Sequence, residues 1–413
     1  MQFNTRLLHG ETNVPTMHGE ILPPVSQVSA FRYDSMEELE RVFHHKRMGY
    51  AYTRIGNPTI TALERKINEL EGGAGAVCCS SGMAAISAAI LAVCENGDEI
   101  IAGSGLYGGT IDLLHDLAKL GIHTVFLKQM TGETLKNAIN DKTRLVFGEM
   151  ISNPAQHVLD IPEFSRIAHE AGIPLFVDST TATPFIVRPL TLGADVVIHS
   201  VSKYLNGGGN AIGGIIVDGG KFRWDPSKFS ALTEFGKYGK GAFLVRLRTD
   251  IWENLGGCMS PMNAYLCYIG MDTLGLRMER ICQNADRLAG ALDRLPGIEV
   301  NYLTLSHHPY HDYVSRELNG YGGGILAFRA GSKEKAFRII NSLKYAVIAS
   351  NIGDVRTLVI HPASTLYLNS DQAEKEAAGV YDDTIRVSVG IEDAEDLIHD
   401  FTEAVLSAGE SGH

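Results

Sequence analysis

Several things that would each have named a class are scarce in this chain. Only six of its 413 residues are cysteine. Cys78, Cys79, Cys94, Cys258, Cys267 and Cys282 form no CxxC pair and no zinc-type spacing, so neither a structural metal nor a disulfide framework is expected. Most lie in apolar context, which suggests buried free thiols in a reducing, cytoplasmic setting. The adjacent Cys78 and Cys79 read as interior strand residues, not as a redox pair. Positive charge is also short. Lys and Arg number 36 against 48 Asp and Glu, a net charge of −12, which argues against nucleic acid or an anionic membrane as partner. Long uncharged runs are rare as well. Residues 72–94 carry no charge and have the length of a bilayer span. Gly72, Gly73, Gly75, Ser80, Ser81 and Gly82 break that run. A buried strand over Ala76–Cys79, a Ser-Ser-Gly turn and a buried helix over Met83–Cys94 fit it better. Residues 1–10 contain Arg6 but no apolar stretch, so a secretory leader is not expected. The one histidine cluster, His307-His308-Pro309-Tyr310-His311, has no acid or thiol at ligand spacing and reads as a surface loop.

What is present is ordinary in bulk and specific in detail. Apolar residues make up 45% and charged residues 20%, as in soluble globular proteins, and the length allows two or three domains. Residues 1–58 read as an extended arm, with Pro15, Pro23, Pro24 and Pro58 and a short helix near Met36–Phe43. Residues 59–250 alternate short apolar strands with helices. Strands are expected at Ala76–Cys79, Glu99–Ala102, His123–Leu127, Leu145–Glu149, Leu175–Asp178, Asp195–Ile198 and Ile212–Val217. Alternation of this kind predicts an α/β fold with a mostly parallel central sheet. Residues 251–413 change pattern: one long helix over Met271–Leu295, strands at Ile325–Phe328 and Thr384–Val389, and helices at Lys333–Leu343 and Ala394–Ser407. A smaller α+β C-terminal domain is expected there, with a frayed tail from Ala408.

Chemistry concentrates at strand ends, where parallel sheets present ligands. Lys203 follows the strand at Asp195 within His199-Ser200-Val201-Ser202-Lys203-Tyr204. An amine there can form a Schiff base with a carbonyl cofactor, and the two serines can hydrogen-bond a phosphate. Pro174-Leu175-Phe176-Val177-Asp178 ends a second strand in a carboxylate able to pair with a protonated pyridine nitrogen. Lysine, phosphate donors and acid together make the protein side of a pyridoxal 5′-phosphate site; Lys203 alone would read as a surface lysine. Ser81-Gly82-Met83 opens a helix after a strand, and such a turn offers free N–H groups to a phosphate. Tyr107, in Leu106-Tyr107-Gly108-Gly109-Thr110, can stack on a flat ring or be a turn tyrosine. Asn153, in Glu149-Met150-Ile151-Ser152-Asn153-Pro154, can contact a ring oxygen or form an Asx turn. On the arm, Arg54 beside Tyr52 suits a phosphate and could reach a neighbouring subunit, or it is a solvated arm arginine. Arg386, inside the apolar strand Thr384–Val389, needs a partner. A substrate carboxylate and Asp382 both qualify.

These segments together resemble the cystathionine γ-synthase-like family of pyridoxal phosphate enzymes of Cys/Met metabolism. The resemblance runs from about Thr5 to Leu406. It rests on Tyr52-Thr53-Arg54-Ile55-Gly56-Asn57-Pro58-Thr59, Ser81-Gly82-Met83, Leu106-Tyr107-Gly108, Val177-Asp178-Ser179-Thr180, Ser200-Val201-Ser202-Lys203-Tyr204, His361-Pro362-Ala363-Ser364 and Arg386-Val387-Ser388-Val389-Gly390-Ile391-Glu392. It implies the aminotransferase-like fold type I and a homotetramer of two tight dimers. It also implies roles for single residues. Lys203 would hold the cofactor, Asp178 its ring nitrogen and Tyr107 its ring face. Ser81, Gly82, Met83, Thr180, Ser200 and Ser202 would contact the cofactor, mostly at its phosphate, with Tyr52 and Arg54 reaching in from the partner. Asn153 would meet the ring oxygen. Arg386 would bind the substrate carboxylate, with Asn351 and Tyr52 beside it. Leu106–Thr110, Asn351-Ile352-Gly353-Asp354 and Leu358–Thr365 look like the O-acetylhomoserine sulfhydrylase branch, while Gly109 stands where methionine γ-lyases commonly carry a cysteine. The implied reaction is γ-replacement on O-acetylhomoserine by a sulfur nucleophile, giving homocysteine. A methionine γ-lyase, a cystathionine γ-synthase or lyase, and a non-catalytic pyridoxal phosphate binder remain alternatives.

Overall fold

The structure, a computed structural model, describes residues 1–10, 18–44, 46–103 and 105–410; Pro15 and the last three residues of the expected tail lie outside them. Two sheets carry the fold. The first has seven strands: β1 (Gly75–Cys79), β2 (Glu99–Gly103), β3 (His123–Leu127), β4 (Thr143–Glu149), β5 (Leu175–Asp178), β6 (Val196–His199) and β7 (Gly214–Asp218). Their order is β1-β7-β6-β5-β4-β2-β3. Neighbours from β6 to β3 are parallel, and β7 runs antiparallel to both β6 and β1. The strands are short and apolar, and helices pack on both faces, as a parallel sheet requires. The helices are punctuated by their sequence. Asn57 caps the Pro58–Glu71 helix through the Thr59 N–H, and Gly72 ends it at φ 75°, where a side chain would be strained.

The second sheet has five strands: β8 (Glu299–Asn301), β9 (Ile325–Arg329), β10 (Val347–Ile348), β11 (Leu358–Ile360) and β12 (Thr384–Ser388), in the order β10-β11-β12-β9-β8. Only β10 and β11 pair in parallel. Its core, with Phe328, Val387 and Phe401, is separate from the two cores that flank the larger sheet.

Some expectations need correction. The helix expected over Met271–Leu295 is present as Leu274–Leu292, and a further helix, Pro261–Met271, precedes it. At the break Arg277 donates to the Gly270 carbonyl at 2.8 Å, and Asp272 pairs with the buried Lys66. The first of these contacts satisfies a carbonyl that a continuous helix would have bonded internally. The Pro261–Met271 helix packs on the Pro58–Glu71 helix, tying the segment after residue 251 to the first sheet. The arm is not wholly extended, since Phe3–His9 is helical and buries Leu7. The C-terminal helix continues to Glu410, and Ala408 is buried. His308 is buried too, 2.9 Å from Asn301 through Nε2, so that segment is partly interior. Burial, and then its histidine neighbours, push its pKa down to about 4. Among the described residues no cluster of His, Cys, Asp or Glu could hold a metal ion, and no helix is long and apolar enough to cross a membrane.

Candidate active site

A cleft of about 460 Å³ opens at the C-terminal ends of the parallel strands and is closed from the other side by the 350–352 segment and β12. Ser81, Gly82, Met83, Tyr107, Asn153, Asp178, Thr180, Ser200, Ser202, Lys203, Asn351 and Arg386 all line it. Of the sequence-selected residues only Tyr52 and Arg54 are absent from its wall. Tyr52 is 44% exposed, Arg54 lies over the Tyr52 ring at 5.6 Å, and its Nη1 donates to the Glu253 carbonyl at 2.9 Å.

Lys203 sits in the turn after β6, and its Nζ donates to Asn351 Oδ1 at 2.6 Å. Burial, with a smaller push from the Arg386 charge, lowers its pKa, favouring the neutral, nucleophilic amine. The turn is braced from behind. Arg277 donates to the carbonyls of Tyr204 at 2.7 Å and Leu205 at 3.1 Å. Gly353 lies so close in front that a Cβ there would meet the Tyr204 amide nitrogen at 2.4 Å, and its φ is 73°. Only glycine allows the 350–353 segment to approach this lysine.

Two carboxylates stand side by side on the cleft floor. Asp178 ends β5 and Glu149 ends β4, in register with each other. Asp178 Oδ1 accepts the Thr180 N–H at 2.9 Å, and burial raises its pKa. Glu149 Oε1 accepts the Tyr107 N–H at 2.7 Å. Burial first, and the Asp178 charge second, push Glu149 up to about 8.

At one end of the cleft the Gly82–Leu91 helix begins, with Ser81 as its cap: Ser81 Oγ accepts the Ala84 N–H at 3.0 Å. A Cβ on Gly82 would lie 2.7 Å from the Ser200 Cβ, so glycine lets the helix start against the Ser200 backbone. Ser200 N–H donates to Thr180 Oγ1 at 2.8 Å, which makes Thr180 a brace for this corner. Ser202 Oγ both donates to the Gly213 carbonyl at 3.1 Å and accepts its N–H at 2.9 Å. Its hydroxyl proton must leave that carbonyl before it can serve a phosphate. Tyr107 caps the Gly108–Ala118 helix with its ring 38% exposed. A Cβ on Gly109 would come within 2.7 Å of that ring.

Arg386 is 3% exposed. Its Nη2 donates to the Asn351 carbonyl at 3.0 Å and its Nε finds no partner in the chain. No carboxylate pairs with it among the described residues; Asp382 instead offers its backbone carbonyl to His361. Burial lowers the pKa of this guanidinium to about 10, with Tyr204, Tyr367 and Tyr107 acting in the opposite sense. A cation held this way is incomplete until an anion arrives. Sequence reasoning missed Glu149, Thr181, Gly209, Ser350 and Leu366, which also line the cleft. Glu149 had a signal, a strand-end acid like Asp178; the others come from loops with no marking composition.

The comparisons agree with this geometry. The family model described as Cys/Met metabolism PLP-dependent enzyme matches residues 4–406. Two curated relatives are named O-acetyl-L-homoserine sulfhydrylase: one from Leptospira meyeri, 38% identical over 97% of this chain and 96% of its own, and one from Corynebacterium glutamicum, 39% identical over 96% and 95%. An L-methionine gamma-lyase of Fusobacterium nucleatum is 36% identical over 97% of each chain. A crystal structure from Campylobacter jejuni, provisionally assigned as an O-acetylhomoserine (thiol)-lyase, superposes with a TM-score of 0.94 at 31% identity over 98% of this chain and all of its own; it carries a pyridoxyl-lysine phosphate. The chain belongs to the family of pyridoxal phosphate-dependent enzymes of Cys/Met metabolism, with the fold of that group, and pyridoxal 5′-phosphate is its cofactor.

The residues present fit that cofactor. A helix N-terminus with adjoining hydroxyls suits the phosphate, the strand-end acid Asp178 suits a ring cation, and the Asn153 amide, which lines the cleft with its Oδ1 unpartnered in the chain, can turn its NH2 to a ring oxygen.

Proposed function

We propose that the cleft carries out γ-replacement on O-acetylhomoserine, with a sulfur nucleophile displacing acetate to give homocysteine. The observation that carries an amino-acid substrate is Arg386: a buried guanidinium without a carboxylate, sharing Asn351 with the Lys203 amine. The choice of O-acetylhomoserine is supported by the sulfhydrylase relatives. Gly109, with no room for a Cβ beneath Tyr107, favours this reading over a γ-lyase that carries a side chain there.

When bound, the cofactor supplies an electron sink for negative charge at the substrate α-carbon. The chain supplies the rest. Arg386 holds the substrate carboxylate in a planar fork and so orients the α-carbon. Lys203 would hold the cofactor and, once released as a neutral amine, is placed to take the α-proton and then a β-proton, which supplies the electron pair that expels the γ-substituent. Asp178 keeps the proton on the ring nitrogen. Tyr107 covers the ring face and shields the γ-carbon, where the C–O bond breaks with its electron pair leaving as acetate. A C–S bond then forms at the same carbon as the thiol gives up its proton to solvent, and Lys203 returns protons to the β- and α-carbons. Ser81, Gly82, Met83, Ser200 and Ser202 hold the phosphate and Asn153 the ring oxygen, with Thr180 bracing Ser200.

In this reading residues 59–250 form the cofactor domain and 251–413 the C-terminal domain. The enzyme works in the cytoplasm as a homotetramer, with Tyr52 and Arg54 completing a neighbour's phosphate site. The arm supports this, since Ile21, Val28, Phe43 and Met48 are exposed on it, apolar surface that suits a second copy. Mixing Arg54→Ala with Lys203→Ala subunits should restore activity that each parent lacks; silent hybrids would show that the site is not shared. The reaction itself is tested by product. O-acetylhomoserine with sulfide should give homocysteine and acetate. Release of 2-oxobutanoate and ammonia in the presence of sulfide would make the protein a γ-lyase instead.

A further inference from the structure

Glu149 is used by neither cofactor chemistry nor substrate binding as described, yet it stands between them. It ends β4 one strand over from Asp178, in register with it. Its Oε1 holds the Tyr107 N–H at 2.7 Å, and the Asn153 backbone N–H lies near enough to this carboxyl to favour its charged form. Tyr107 and Asn153 belong to different turns, one before the Gly108–Ala118 helix and one after β4. The Tyr367 hydroxyl approaches the same two turns through backbone carbonyls, 3.2 Å from that of Leu106 and 3.0 Å from that of Asn153, but does not hold the Tyr107 N–H. Gly108 and Gly109 follow Tyr107, its hydroxyl has no described partner, and its ring is 38% exposed. Glu149 also lines a second cavity of about 540 Å³ on the far side of the cleft wall, with Lys128, His157, Tyr310 and Glu376 among its lining residues.

We propose that Glu149 is a positioning residue: its carboxyl clamps the turns of Tyr107 and Asn153 together and so sets the pose of the ring that covers the cofactor. The clamp needs an oxygen acceptor, not a negative charge. A neutral Glu149 beside Asp178 leaves a single anion under the cofactor ring, which avoids placing two repelling carboxylates side by side. The groups facing Glu149 are Asp178 on β5, Tyr107 and Tyr367 from the cleft side, and Lys128, His157 and Glu376 from the second cavity.

This rests on the cleft being the cofactor site, and the test separates the two. Apoenzyme of the wild type, Glu149→Gln and Glu149→Ala is titrated with pyridoxal phosphate, following absorbance and the circular dichroism of the bound chromophore; kcat is then measured against pH. Glu149→Gln keeps an oxygen for the Tyr107 N–H. It should bind cofactor within a fewfold of wild type, keep the dichroic signature and flatten the alkaline side of the pH profile near 8. Glu149→Ala should bind cofactor about tenfold more weakly, the loss of one hydrogen bond to a buried acceptor, and change the dichroism. Equal cofactor affinity and dichroism in Glu149→Ala and wild type would overturn the clamp, as would a Gln variant as impaired as the Ala variant. Failure of the wild type itself to bind pyridoxal phosphate in the cleft would overturn the reading on which the clamp rests, not the clamp alone. Unfolding of Glu149→Ala leaves the Gln variant to decide.

Discussion

The two sheets contribute to the cleft in different ways. The seven-stranded sheet offers residues at strand ends or just beyond them: Glu149, Asp178 and Lys203. There the backbone has already finished its ladder, and a polar side chain costs little. The five-stranded sheet offers Arg386 from the middle of β12, with Ala327 and Ile360 opposite it on the flanking strands. A guanidinium at such a position is expensive unless a ligand completes it. Strand ends hold whatever a parallel fold is given to bind, whereas a mid-strand cation commits the site to an anionic substrate.

The comparison can be broken from either side. The largest effect is expected on the first sheet. Lys203→Ala should cut turnover by several orders of magnitude while leaving cofactor binding through the phosphate contacts, because attachment and proton transfer are lost together. Steady-state kinetics and a cofactor titration check this, and wild-type turnover would remove Lys203 from the chemistry. Asp178→Asn should come next, with turnover down by about a hundredfold or more and cofactor affinity less affected, since the shape stays and the charge goes. Near-normal turnover would make Asp178 a strand-end acid with no partner on the ligand. The second sheet should respond differently. Arg386→Lys should raise KM for the amino acid at least tenfold through loss of the planar fork, with a smaller fall in kcat and unchanged cofactor affinity. Loss of thermal stability at constant KM would assign Arg386 to the fold alone.

The same contrast decides what the sequence could disclose. Lys203, Asp178 and Ser81–Met83 follow short apolar runs, so strand, turn and chemistry are written contiguously. Arg386 was visible as a cation in an apolar strand, but its partner was not; Asp382 qualified as well as a substrate carboxylate, and only the packing shows that the guanidinium bonds the Asn351 carbonyl and leaves its Nε without a partner in the chain. Glu149 lay inside a segment read for Asn153. Its importance depends on β4 lying beside β5 in register, a relation between residues about 30 positions apart that no local pattern encodes. The strands β8, β10 and β11 have two or three residues each, too few for a period to emerge. The Leu274–Leu292 helix was legible from its period, whereas the Pro261–Met271 helix before it, uncharged and with apolar residues on most sides, carries little amphipathic signal.

The strand order has a consequence for the making of the protein. β1 is the earliest strand of its sheet to be synthesised, and its partner is β7, the latest, with Gly75 opposite Asp218. Until the ribosome has released residue 218, β1 has no neighbour, and the Ser81–Gly82 turn that follows it has nothing to face. Pairings between such distant segments close slowly and leave apolar edges open while they wait. The nascent chain therefore assembles β2 to β6 first, and the corner meant for the phosphate is finished among the last.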